Sequence, residues 1–365
     1  MKNLIIIGNG FDKAHNMKTS YNEFIEDLFS KYFEDKNSYP NILNSTTLDN
    51  LAALKHAVKE EHRIREKDHG IGIKDTPFPY RSSKIVTSSR ENSIFQFSNK
   101  FIEYLLYSVD RNNWCDIEYK YFEELMRYCN TTYDLSKMHE DFNVVKKYLS
   151  DYLINQEKKI KKVKGYVHFF RLVAGLSNSD KDTLILNFNY TKTIEKLYEK
   201  DVIKCSTIHI HGELKNEENP MIFGYAANQN EVDTLLSQNN NEFLKNIKKY
   251  SYKRTEKEKT LNNFLNSSNS EDIDVFILGH SCGLSDNWIL SKIFNHESIR
   301  SINIFYHEKF DNYYEVQVNI DRISHTGFNK LVPCEKPYRM PQWNDYKHQI
   351  NDFTKTLIYT PISVN

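Results

Sequence analysis

Leu4-Ile5-Ile6-Ile7 runs directly into Gly8-Asn9-Gly10-Phe11-Asp12, close behind Met1. No other segment constrains the fold as much. An apolar run that breaks at two glycines and then turns helical is how a strand hands a nucleotide to a helix. Glycine lets the backbone come close to a phosphate, and the N–H groups opening the next helix face such an anion. Gly8, Asn9, Gly10, Phe11 and Asp12 are therefore candidate binding residues. A plain tight turn, with Asp12 capping the helix, is the competing account. The usual dinucleotide fingerprint asks for a third glycine at 13, where Lys13 stands. It also asks for an acidic residue ending a second strand about twenty residues on, and that stretch reads as a helix. An ordinary Rossmann hydride-transfer enzyme is not expected.

Helical spacing follows at Tyr21 to Phe29, with Ser20 and Glu23 placed for a capping box. The αβ rhythm then stops. From about Lys31 to Ser179 almost no clean strand is legible. Leu51 to Arg65, Ile94 to Tyr107, Ile117 to Tyr128, Phe142 to Leu153 and Tyr166 to Ala174 read as helices, and Gly70 to Arg90 as a loop. Strand patterns return at Thr183 to Phe188, Ser206 to His211, Met221 to Phe223, Asp274 to Leu278 and Ile302 to Tyr306. Helices are expected at Thr193 to Leu197, Glu231 to Leu265 and Asp286 to Phe294, while Tyr313 to Ile323 fits strand or helix. The expected fold class is α/β: a Rossmann-like, mainly parallel sheet with helices on both faces and a large helical insertion after the first βα unit. The expected domains are a split core, 1–32 with 180–330, a helical insertion, 33–179, and a C-terminal extension, 331–365, packing on the core.

Lys plus Arg and Asp plus Glu both number 49, which argues against constitutive binding to nucleic acid or an anionic membrane. The five cysteines are scattered and form no C-x-x-C, as suits reduced thiols in a cytoplasm. No run reaches membrane-spanning length.

Four further segments carry chemistry. Asn187 and Asn189 flank the end of one strand pattern, where an asparagine orients a sugar hydroxyl or a water, or caps a turn. His209-Ile210-His211-Gly212 ends the next; both imidazoles are expected on one side, with His211 as a general base. A zinc site lacks partner spacing, so no metal is expected. Gly279-His280-Ser281-Cys282-Gly283 fits the G-x-S-x-G elbow of serine hydrolases, with Asp311 or Asp321 and His325 or His348 following in order. It also fits a polar turn in which Gly279, Ser281 and Asp286 contact a nucleotide. Only 82 residues follow Gly283, little room for the rest of a hydrolase. In Trp114-Cys115-Asp116-Ile117-Glu118 the two carboxylates do not share a helix face. Asp116 as a helix cap is the plain reading, and the run Lys158 to Lys164 reads as a solvated face.

Together, Ile6 to Asp12 with His15 and Thr19-Ser20-Tyr21, Trp114 to Glu118, Asn187 to Thr191, His209 to Gly212 and Gly279 to Gly283 resemble the AbiH family of bacterial abortive-infection proteins. The resemblance spans nearly the whole chain and implies phage defence by sacrifice or arrest of the infected cell. The glycine turn, Asn-Tyr, His-Gly and late Gly-x-Ser with an acid also look like sirtuin-like NAD-consuming domains. That likeness implies Gly8 and Gly10 at the NAD phosphates, Asn189 at the ribose or water, and His211 as the activating base. Phe11-Asp12 replaces the serine expected after the glycine turn, and Thr191 stands where an acid is expected. The implied ligand is NAD, as substrate, or another nucleotide. A phage-derived trigger or partner protein and a homo-oligomer are the assemblies left open. A non-catalytic, nucleotide-regulated toxic module and a serine hydrolase at Ser281 are the alternatives to a nucleotide hydrolase.

Overall fold

The computed structural model describes residues 2–69, 95–110, 117–132, 134–173, 183–199, 205–267, 272–307, 309–333 and 338–344. Among the described residues eight strands occur in chain order: β1 (Lys2–Ile7), β2 (Leu43–Thr46), β3 (Phe95–Phe97), β4 (Thr183–Asn187), β5 (Ser206–His209), β6 (Ile273–Leu278), β7 (Ile299–Tyr306) and β8 (Tyr338–Arg339). Six of them form one sheet in the order β5-β4-β1-β6-β7-β8, and every pairing in it is parallel. Renumbered within the sheet, this is the doubly wound order 3-2-1-4-5-6, which reverses between β1 and β6.

The apolar run of β1 explains why helices cover both faces. Leu4 and Ile6 enter one core with Leu184, Leu186, Val275, Ile277, Ile289 and Ile293. Ile5 and Ile7 enter the other with Phe11, Tyr166, Phe169, Phe170, Ile185 and Tyr198. Strand side chains alternate faces, so a strand buried on both sides reads as continuous hydrophobicity rather than alternation. The helices Lys257–Asn266, Asn287–Phe294 and Phe310–Ile323 supply the first core, and Asn9–Ala14 and Lys164–Val173 the second.

The described residues divide into two compact units. The first comprises 1–19, 153–232 and 246–365, and the second 20–152 and 233–245. These boundaries differ from the expected ones at 33 and 179. The helix Tyr21–Glu34 packs on the helices Leu51–His69 and Lys100–Asp110, and Lys164–Val173 packs under the parallel sheet. In the second unit β2 and β3 pair antiparallel, and Tyr121 stacks on Phe142 at 4.2 Å. The predicted capping box at Ser20 and Glu23 is present. Beyond β8 the chain stays attached to this unit: the Met340 amide donates to Tyr306 O, and the Trp343 amide to Ala14 O.

Several local expectations are corrected. Met221 to Phe223 is not a strand; the residues flanking it form single bridges, Pro220 with Glu213 and Tyr225 with Ile247. Ile94 to Tyr107 is not one helix, because Phe95–Phe97 pairs with β2 and the helix starts at Lys100. Glu231 to Leu265 breaks into the helical segments Gln229–Leu236, Asn241–Leu244, Lys248–Tyr252 and Lys257–Asn266. The ambiguous Tyr313 segment is helical, because Tyr313, Val316 and Ile320 bury one helical face. Gly70 to Arg90, Trp114 to Asp116 and His348 lie outside the described residues.

Candidate functional site

Parallel pairing brings the carboxyl ends of the core strands to one edge. A single row crosses the sheet there: His209 opposite Asn187, Asn187 opposite Ile7, Ile7 opposite Leu278, and Leu278 opposite Phe305. The sequence candidates are the residues that follow these strands, so the fold gathers Gly8 to Asp12, Asn187 and Asn189, His211, and Gly279 to Asp286 along one rim. Ligands of doubly wound sheets bind outside this rim, where the strand order reverses.

The two turns at the reversal are locked together. Gly8 N donates to Leu278 O at 3.1 Å and Gly10 N to Gly279 O at 2.8 Å. A Cβ on Gly8 would lie 2.5 Å from His280 Cα, and one on Gly10 would lie 2.8 Å from Gly279 Cα. Gly279 itself has φ +64°. These glycines serve backbone-to-backbone contact first. Phe11 is wholly buried and meets Tyr166 edge-on. Asn9 is exposed and hydrogen-bonds both the carbonyl and the hydroxyl of Thr19.

Asp12 is also inside. Thr191 Oγ1 donates to it at 2.5 Å and Thr193 Oγ1 at 2.6 Å. Burial raises its pKa to about 6, against the pull of those two hydroxyl bonds. This accounts for Thr191 in place of an acid: a second carboxylate beside Asp12 would add like-charge repulsion in a buried site.

Asn187 Oδ1 accepts from Asn189 N at 2.9 Å, which tightens the turn beyond β4. Asn189 Nδ2 donates to Gly8 O at 3.0 Å, joining the β4 end to the glycine turn. β5 stops at His209, so strand alternation does not extend to His211, and the two histidines take different partners. His209 Nδ1 lies 3.1 Å from Asn189 O, and its Nε2 lies 2.7 Å from Glu195. Burial opposes its charge, but Glu195 outweighs burial and raises its pKa.

His211 belongs to a buried cluster centred on Asp286. Around this carboxylate lie His211 Nε2 at 3.0 Å, Lys248 Nζ at 2.8 Å and His280 Nε2 at 3.4 Å. Lys248 has no exposed surface and also donates to Ser285 O. Burial opposes the Asp286 charge, yet Lys248 and the imidazoles hold its pKa well below the carboxylate range. Burial, then the Lys248 charge, lowers His211 to about 4. At neutral pH the cluster is thus one ammonium, one carboxylate and a neutral His211. Sequence reasoning found His211 and Asp286 but missed Lys248, His280 as a partner, Glu195 and Thr193. Lys248 sits among several lysines, and nothing in its local pattern marks it as buried.

The G-x-S-x-G segment does not build a hydrolase elbow. Besides Gly279, the left-handed residue of the turn is Cys282, φ +52°, rather than Ser281. His280 Nδ1 accepts the Cys282 amide at 2.9 Å and its Nε2 faces Asp286. Ser281 is exposed. Asp321 and His325 pair with each other at 2.6 Å, one helical turn apart on the surface.

His15 is a structural member of this unit. Its Nδ1 donates to Phe11 O, and its Nε2 accepts from the Tyr198 hydroxyl, both at 2.6 Å. Burial lowers its pKa to about 4. A histidine buried neutral takes up its proton more readily when unfolded. Stability from His15 and His211 is therefore present above pH 6.5 and lost as pH falls toward 4, by about 2 kcal/mol each at pH 5. Asp12 acts oppositely, because its raised pKa favours the folded state as pH drops below 6. The melting temperature should fall from pH 7 to 5, and Asp12→Asn should steepen that fall by removing the offset. Thermal melts at stepped pH check this; a flat profile in both proteins would contradict it.

Among the described residues no group of three or more His, Cys, Asp and Glu side chains is arranged to hold a metal. No helix of the described residues is long and apolar enough to cross a membrane. A family model described as bacteriophage abortive infection AbiH matches residues 4–308. No curated protein matches the chain.

Proposed function

Because the chain belongs to the AbiH family of bacteriophage abortive infection proteins, we propose that it carries out this anti-phage role by hydrolysing a nucleotide, with NAD, cleaved to nicotinamide and ADP-ribose, as the preferred substrate. The observation that carries this reading is the meeting of three features at one sheet edge. These are the Gly8 turn, Asn189 bridging to it, and His211 backed by the Asp286 cluster, all at the reversal of a doubly wound strand order. The nicotinamide–ribose bond breaks through an oxocarbenium-like state, so orientation of the ribose matters more than nucleophile strength. Asn189 would hold ribose hydroxyls. His211, neutral at physiological pH, would accept the proton of the attacking water. The Gly8-Asn9-Gly10 turn, with Gly279 and Ser281 across from it, would contact the phosphates. The proposal invokes no metal. An unrestrained enzyme of this kind would kill its host, so the activity is proposed to wait on a phage-derived trigger.

Purified protein, alone or with lysate of infected cells, is incubated with NAD and free nicotinamide is measured. His211→Gln and Asn189→Ala should each lower release about 100-fold or more. Equal release by His211→Gln would sink the assignment. Ligand-dependent thermal shift without turnover, and undiminished phage protection by His211→Gln, would favour a nucleotide-regulated toxic module instead.

A further inference from the structure

We propose that Asp286 and Lys248 form a positioning pair that fixes the proton of His211 on Nε2 and leaves Nδ1 as the proton acceptor of the site; its catalytic half rests on the nucleotide-hydrolase reading above. A carboxylate accepts hydrogen bonds and donates none. The imidazole nitrogen 3.0 Å from Asp286 Oδ1, Nε2, therefore carries the proton. Lys248 Nζ donates to the same oxygen at 2.8 Å. The carboxylate acts on His211 chiefly through its charge. The other carboxylate oxygen faces His280, whose Nδ1 already accepts the Cys282 amide and whose proton is thereby on Nε2.

The ring plane of His211 is set independently. Tyr252 lies parallel to it at 6.2 Å, Phe188 meets it edge-on at 5.0 Å, and Tyr190 lies at 6.1 Å. The titratable groups facing the ring are thus Asp286, Lys248, His280, Tyr190 and Tyr252. Asp286 alone would make His211 a stronger base and charge it, and Lys248 cancels that field. Asp286 is accordingly a positioning residue rather than a nucleotide contact, since His211, Lys248 and His280 surround its oxygens.

In the reaction, water forms the new bond to the anomeric ribose carbon and its proton passes to Nδ1. The carbon–nitrogen bond breaks, and its electron pair stays on the nicotinamide nitrogen, neutralising the pyridinium. The imidazolium then returns the proton to solvent, so NAD and water give ADP-ribose, nicotinamide and one proton.

The test uses full-length protein with ¹⁵N-labelled histidine, the His211 signals being assigned by their loss in His211→Gln. Wild type should show a neutral His211 with the proton on Nε2 from pH 7 down to pH 5. Lys248→Met should raise the proton affinity of His211 at least about tenfold, and adding Asp286→Leu should reverse the rise. In nicotinamide release, Lys248→Met should move the acidic limb of the kcat profile upward by the same factor, with KM within about threefold. A proton on Nδ1 in wild type would overturn the proposal, as would a His211 titration unmoved by Lys248→Met. Should Lys248→Met fail to fold, the wild-type tautomer decides. Absence of nicotinamide release by wild type would overturn the hydrolase reading alone, because the NMR measurement requires no turnover.

Discussion

Asp286→Ala is expected to destabilise the parallel-sheet unit by about 3–5 kcal/mol. The physical reason is the lysine left behind rather than the contact removed. Lys248 has no exposed surface, and Asp286 Oδ1 is the carboxylate oxygen beside its ammonium, at 2.8 Å. Removing the carboxylate strands a positive charge away from water and leaves His211 and His280 without the group their Nε2 atoms face. Removing both charges together behaves differently. In Lys248→Met/Asp286→Leu no ion is buried, and apolar replacements of similar size are often neutral or stabilising. The double variant should regain most of the lost stability, and the cycle closed by wild type, Lys248→Met, Asp286→Leu and the double should give a coupling energy of several kcal/mol. Denaturant unfolding of the four proteins measures it. A loss below about 1 kcal/mol in Asp286→Ala would show that the cluster is far better hydrated than its burial indicates.

Gly8→Ala should cost at the upper end of about 1–3 kcal/mol or more, because an added methyl has nowhere to go. The new carbon would stand 2.5 Å from His280 Cα, an atom of the opposing backbone. Neither strand end can retreat without breaking the bonds from Gly8 N to Leu278 O and from Gly10 N to Gly279 O. Gly283→Ala is the matched control. Its φ is an ordinary −67° and the nearest atom to a Cβ there is 3.6 Å away, so it should change stability by no more than about 0.5 kcal/mol. Thermal unfolding of both variants decides. If Gly8→Ala were as stable as Gly283→Ala, the turns would not be locked as described.

The same contrast shows what a sequence discloses. The sheet was legible because Leu4 to Ile7, Leu184 to Leu186 and Val275 to Leu278 are buried on both faces and leave uninterrupted apolar runs. The site was legible in outline because parallel strands end at one edge, so residues that follow such runs must meet. What stayed hidden depends on partners distant in the chain. Lys248 and Asp286 are 38 residues apart, and Asp12 and Thr193 are 181 apart. No local pattern announces either pairing. The split of Glu231 to Leu265 into short helices was hidden too, since polar helical spacing does not reveal where tertiary packing interrupts it. His211 was found, but its environment was not: a neutral, buried imidazole and an exposed one read alike as His-Gly.

The position of β1 has a consequence for how the protein is made. This strand is translated first yet sits between β4 and β6, so it must wait for residues 183–187 and 273–278 before either edge is paired. At roughly 5–20 residues per second, the ribosome reaches β6 about 15–50 s after completing β1. A nascent chain cut short anywhere before Asp286 lacks the carboxylate of the His211 cluster. The buried cluster around His211 therefore forms only after residue 286 has been added, however early the glycine turn was made.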